Sequence, residues 1–181
     1  VNQNADFALP EDTWVLHNKK PNRFAGSLTW GDFGQSGSSG VNLEVQTPGR
    51  QWWHLHLRQS GISLEPGVQY QVRLMIKASE TTRAYVKIRD PSSRRNPLRE
   101  FAQLTTEWAE HVFEFQVNTP TSRARMMVQV GRESEGVVYS VDYFQLFALA
   151  SDSTGFGMDS TSMTTTAHPP VTSNGSDGHR E

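Results

Sequence analysis

The segments Tyr70–Lys77 (YQVRLMIK) and Arg83–Arg89 (RAYVKIR) alternate between apolar and polar residues with a period of two. That period commits the chain to β-strands that bury one face, because successive side chains on a strand point to opposite sides. Val72, Leu74 and Ile76, and Ala84, Val86 and Ile88, are therefore expected to point into a core. Their neighbours are Arg, Lys and Tyr, where a bland solvated face would mix Ser, Thr and Glu. Rings set among planar donors on a stiff sheet suit a ligand that is flat, polyhydroxylated or anionic.

Further strand patterns follow at Trp52–Arg58 (WWHLHLR), Trp108–Val117 (WAEHVFEFQV), Ala124–Val130 (ARMMVQV) and Val137–Phe147 (VVYSVDYFQLF). Clusters of Gly, Pro, Ser and Asn separate them, among them Gly34–Gly40, Glu65-Pro66-Gly67 and Asp90-Pro91-Ser92-Ser93. Short β-runs at this spacing, without helical periodicity, predict an all-β, two-sheet antiparallel sandwich. Only Leu98–Leu104 reads as a helical turn. The stretch Ser27–Gly40 reads as a loop that exposes Trp30 and Phe33.

The chain of 181 residues suits one domain with an appendage. From Ala150 the composition turns to Ser, Thr, Gly, Asp and Pro, which cannot bury enough apolar surface to offset its ordering entropy. Residues 1–149 are thus expected to form the sandwich and 150–181 a linker or tail of the Ser/Thr-Pro kind. No apolar run approaches the roughly eighteen residues of a membrane span. A formal charge of −2 argues against general nucleic-acid affinity, so any cationic surface must be local. The absence of cysteine excludes disulfides and thiolate metal sites. Opening on Val1, the chain reads as a mature N-terminus or as a piece of something longer.

Several landmarks carry a resemblance. Asn4-Ala5-Asp6-Phe7 followed by Asp12-Thr13-Trp14, the run Trp53–Ile62 (WHLHLRQSGI), and Leu64–Tyr70 (LEPGVQY) resemble, in order, landmarks of the carbohydrate-binding modules of families 4, 9, 16 and 22. Trp108 with Phe113-Glu114-Phe115, and Tyr139–Leu146 (YSVDYFQL), continue that order. The resemblance implies a jelly roll whose concave sheet forms a glycan cleft. It also implies a monomeric, secreted, non-catalytic module that is covalently linked to a polysaccharide-degrading enzyme and binds β-glucan or xylan. Two positions depart from the pattern. Ala8 stands where the group often has a carboxylate for a structural calcium, and His56 stands where it has Gln. A calcium would then rest on Asp142, with Asp6 or Glu11 as a substitute acid and backbone carbonyls completing the shell.

In a jelly roll successive strands tend to cross between sheets, which groups 52–59, 83–90 and 123–130 in the cleft sheet. Their outward parity carries His54, His56, Arg58, Arg83, Tyr85, Lys87, Arg89, Arg123, Arg125, Met127 and Gln129, with six cations and no acid. Arg73 and Lys77 fall on the opposite sheet. Trp52 and Trp53, adjacent on a strand, are expected on opposite faces, at least one stacking on a sugar ring. Trp30 is expected at the cleft mouth, and Trp14 and Trp108 in the core. The basic loop Asp90–Arg99 could fold over the cleft end.

The cation set leaves a second ligand class open, an acidic polysaccharide such as alginate, pectin or a sulfated algal glycan. His54 and His56 on one strand would also permit a cupin-like metal pair. A jelly-roll polysaccharide lyase is a further alternative, for which the Arg, Gln, His and Tyr residue types are present without the short motifs it needs. However, no Glu follows at the spacing a cupin uses, and no carboxylate pair flanks the face as a glycosidase needs. An adhesion module is the remaining alternative.

Overall fold

In the computed structural model, residues 13–149 are described. They form ten strands: β1 (Trp14–Asn18), β2 (Ala25–Gly31), β3 (Gly40–Thr47), β4 (Leu55–Leu64), β5 (Gln69–Ala78), β6 (Thr82–Arg89), β7 (Leu98–Leu104), β8 (Ala109–Gln116), β9 (Thr121–Gln129) and β10 (Val138–Ala148). Two five-stranded antiparallel sheets result: sheet A in the order β1-β4-β9-β6-β7 and sheet B in the order β2-β3-β10-β5-β8. This is the β-sandwich that the strand pattern predicts. The tail expected over 150–181, Asp6 and Glu11 lie outside the described residues.

The period-two rule sets the core. Val72, Leu74 and Ile76 from sheet B, and Ala84, Val86 and Ile88 from sheet A, are all fully buried. Leu57, Val128, Val41, Leu43 and Phe144 complete the layer between the sheets. Trp14 is buried as expected and stacks on Phe144 with ring centroids 5.4 Å apart. Trp108 instead sits at intermediate exposure, with Lys77 Nζ 5.1 Å above its ring. Burying an aliphatic side chain of this size contributes about 1.5–3 kcal/mol, so these residues fix which face of each strand points inward.

Four local expectations are corrected. Leu98–Leu104 is a strand, β7, because Leu98, Ala102 and Leu104 bury one face against the core in ladder with β6. The Ser27–Gly40 loop is shorter than expected. Its first part belongs to β2, whose backbone is held in ladder by β3 from Ala25↔Thr47 to Gly31↔Gly40. Trp30 therefore lies on sheet B, half-buried against the core, and not in a loop at the mouth of the cleft.

Finally, Trp52–His54 is a 3₁₀ turn ahead of β4, so the two tryptophans are not on opposite faces of a strand. Backbone bonds close the turn: His54 N donates to Gln51 O at 3.1 Å, and Gly131 N donates to Trp52 O at 3.0 Å. Gly131 permits this approach, since a Cβ there would sit 2.4 Å from Leu55 N.

Candidate functional site

The ladder of sheet A orders the outward side chains into cross-strand rows. One row runs His17, His56, Gln129, Tyr85, Phe101 across β1, β4, β9, β6 and β7. The next runs Val15, Arg58, Met127, Lys87, Arg99, and a third pairs Arg125 with Arg89. Rows of the same parity lie about 7 Å apart along the strands. The first row is uncharged or aromatic, and the charged groups of the other two are cationic.

A cleft of about 460 Å³ opens over this face, lined by His17, Lys19, Trp53, His56, Arg58, Lys87, Arg89, Arg94, Asn96, Arg125, Met127 and Gln129. Six of these residues are Lys or Arg, and none is acidic. Trp53 is 43% exposed, a ring held open at the cleft edge with Lys19 Nζ 5.8 Å from its centre. Trp52 turns toward β7 on the same face of the sheet. It meets Phe101 edge-on at 5.3 Å, with the Arg83 guanidinium 5.3 Å above its ring. Phe101 packs on Tyr85 at 4.8 Å, and Arg99 Nε donates to the Tyr85 hydroxyl at 2.8 Å. Rings thus continue from Trp53 and Trp52 to Phe101 across one end of sheet A.

His56 and Gln129 form the buried polar floor, at 6% and 3% exposure. The His56 Nδ1 lies 3.1 Å from Trp53 O. A carbonyl can only accept, so Nδ1 carries the proton and Nε2 is left as an acceptor. Burial, and then the His17 imidazole beside it, push the His56 pKa down to about 3. His56 is therefore neutral over the whole physiological range. Burial and the Arg58 and Arg125 charges hold His17 low as well. Arg58 sits partly buried, with an Nε that has no hydrogen-bond partner among the described residues.

The loop over the far end of the cleft is built on Asp90. Its carboxylate accepts from Ser92 N at 2.9 Å, Ser93 N at 3.3 Å, Ser93 Oγ at 2.5 Å and Thr121 Oγ1 at 3.1 Å. These bonds, Ser93 Oγ first, hold its pKa below the usual carboxylate value. The same loop carries Arg94 and Asn96 to the cleft wall.

Of the residues singled out in the sequence, the structure brings Trp53, His56, Arg58, Arg89, Arg125 and Gln129 to the cleft, with Tyr85 beside it on the same face. Trp52 stands on the same rim. His54 is a correction: the 3₁₀ turn rotates it away from His56, and its ring stacks on Phe24 with centroids 4.0 Å apart. The two histidines therefore form no metal-binding pair. Two of the expected cations are also displaced. Arg83 is taken up by Trp52 and Phe101, and Arg123 lines a separate depression with Ser60 and Pro91. Their places in the cleft are taken by Lys19 and Arg94. His17 was missed, and the only signal for it was the five-residue alternation Trp14-Val15-Leu16-His17-Asn18, blurred by the outward Val15.

Asp142 lies at the β-bulge in β10 and accepts a hydrogen bond from Ser38 Oγ at 2.7 Å, which ties down the turn after β2. Among the described residues no three His, Asp or Glu side chains converge.

An antiparallel sandwich with a ring- and cation-lined cleft on one sheet defines a class of binding module, and comparison with known proteins places the chain within it. Residues 22–135 match the family CBM_4_9, described as a carbohydrate binding domain. That span is more than half of the chain, and the chain belongs to this family. No curated protein sequence matches it.

Among solved structures it resembles one described as "CBM4 structure and function", at 18% identity and TM-score 0.67, covering 81% of this chain and 99% of the other. The N-terminal cellulose-binding domain of Cellulomonas fimi β-1,4-glucanase C matches at 15% identity and TM-score 0.58, covering 77% and 90%. TmCBM61 in complex with β-1,4-galactotriose matches at 18% identity and TM-score 0.58, covering 82% and 97%. At these identities the likeness establishes the shared fold.

Proposed function

We propose that this carbohydrate-binding module holds one polysaccharide chain along the outer face of sheet A, without catalysis, and so keeps a linked polysaccharide-degrading enzyme at its substrate. The observation that carries the reading is the cleft itself. Its floor offers a neutral imidazole acceptor and a buried amide, and its edge offers an exposed indole. Sugar rings present C–H faces that pack on an aromatic plane, and hydroxyls that both donate and accept. Such sites are largely preformed, and tethering raises the local concentration of substrate for the enzyme.

Cellulose-binding and galactotriose-bound neighbours support a glycan chain as the ligand. A Clostridium thermocellum structure in which a CBM22 module and a GH10 module are joined and complexed with xylohexaose supports the linkage. Such a module works outside the cell, where its polymer is. A structural calcium would take Asp142 together with Asp6.

The test is binding of the full chain to a polysaccharide panel by affinity electrophoresis, with Trp53→Ala and Gln129→Ala beside the wild type. Removing a stacking ring from a binding centre costs about 2–4 kcal/mol. Both variants should therefore lose retention on the polymer that the wild type binds. Wild-type retention by both would contradict the site.

A further inference from the structure

We infer that the glycan held in this cleft is a polyanion carrying carboxylate or sulfate groups; this rests on the glycan site proposed above and names its ligand class. Lys19, Arg58, Lys87, Arg89, Arg94 and Arg125 line the cleft, and no acidic residue does. The chain as a whole carries a formal charge of −2, so this is a local concentration and not the share of a basic protein.

The opposite sheet shows what an ordinary solvated face of this protein looks like. There Arg73 is bridged to Glu110 at 2.8 Å, Gln71 donates to Glu114 at 3.2 Å, and Ser27 donates to Glu44 at 3.0 Å. Among the described residues none of the six cleft cations forms a salt bridge. The nearest carboxylate in sequence, Asp90, is taken up by hydrogen bonds from Ser92 and Ser93 in its own loop and from Thr121 at the start of β9.

The crowding has a cost. Burial and Arg125 hold the Arg58 pKa below its ordinary value, while burial, Arg89 and Arg99 do the same to Lys87. Like charges brought together on one sheet repel, and a bound anion reverses that term. Guanidinium groups also match carboxylate and sulfate oxygens with paired N–H donors. A neutral chain needs no such set: amides and hydroxyls would satisfy its hydroxyls without the repulsion.

The cationic rows lie beside the His56–Gln129 row on the same face. One chain can therefore place its anionic groups over Arg58, Lys87, Arg89 and Arg125 while its hydroxyls meet His56 and Gln129.

The experiment measures retention of the full chain by three groups of polymer. Polygalacturonate and alginate represent uronates, carrageenan represents sulfated glycans, and mixed-linkage β-glucan with unsubstituted xylan represents neutral chains. Each is run at about 0.05 M and about 0.5 M NaCl, a range over which screening shortens from beyond 10 Å to a few ångströms. The expected result is retention by at least one acidic polymer, weakened tenfold or more by salt. Arg58→Gln/Arg125→Gln and the exposed Arg89→Gln should each reduce that retention, with melting midpoints equal to or above wild type.

Which acidic arm binds distinguishes uronate from sulfate. Neutral polymers bound as tightly as acidic ones at both salts overturn the inference and leave the glycan site standing. Acidic binding that these Arg variants leave unchanged overturns it as well. Retention by no polymer overturns both readings.

Discussion

His17 and His56 face each other across the β1–β4 ladder with ring centroids 4.7 Å apart, next to Arg58 and Arg125. Neither imidazole can be charged there without meeting cations, and His56 is also buried. A proton-poor pair of imidazoles is thus built into the cleft floor.

Acid should therefore destabilise the fold before its carboxylates titrate. His56 has a pKa of about 3 when folded, against an ordinary 6.5. The unfolded chain binds more protons, so its contribution is fully present above about pH 6.5 and is lost progressively down to about pH 3. His17, His54 and His111 are shifted in the same direction, each with burial as the largest cause. The melting midpoint should fall from pH 7 to pH 4.5, with His56 alone costing about 2–3 kcal/mol. His56→Gln should flatten that profile; an unchanged slope would contradict the assignment.

Asp90 governs the loop that brings Arg94 and Asn96 to the cleft. Asp90→Ala leaves Ser92 N, Ser93 N and Thr121 Oγ1 without their acceptor, at a cost of about 1–3 kcal/mol. Its folded pKa is lowered, so its contribution holds above the ordinary carboxylate range and fades below about pH 4. The variant should melt earlier and bind glycan more weakly; calorimetry and affinity electrophoresis check the two effects.

Gly131 links the fold to the site. A side chain there collides with Leu55 N at 2.4 Å and with the carbonyls of Gln51 and Trp52 at 3.0 Å. Gly131→Ala must displace the 3₁₀ turn that presents both tryptophans. Thermal denaturation should show a loss on the order of 1–3 kcal/mol, and glycan retention should drop with it. The control is Glu110→Gln on sheet B, which removes the bridge to Arg73 and should leave glycan affinity unchanged.

Much of this architecture was legible because β4, β5, β6 and β9 each bury one face. The parity of Arg58, Tyr85, Lys87, Arg89, Arg125 and Gln129 followed directly from the apolar residues between them. What stayed hidden was decided by long-range contacts. Trp52 and Trp53 have strand-like propensity, yet backbone bonds to Gly131, some eighty residues away, wind them into a turn. Trp30 reads as a loop residue because Gly and Ser surround it, while pairing with β3 makes it part of a strand. His17 and Lys19 precede a basic, polar stretch, and only the ladder with β4 carries them to the cleft.

The most direct test of the central claim is a ¹H–¹⁵N NMR titration with an oligosaccharide of the polymer that the panel retains. The account predicts shifts in the Trp53 indole and in the amides of His56, Arg58, Arg125 and Gln129, with the sheet B amides around Arg73 and Tyr143 unmoved. Shifts confined to sheet B, with the Trp53 indole unmoved at saturation, would contradict it.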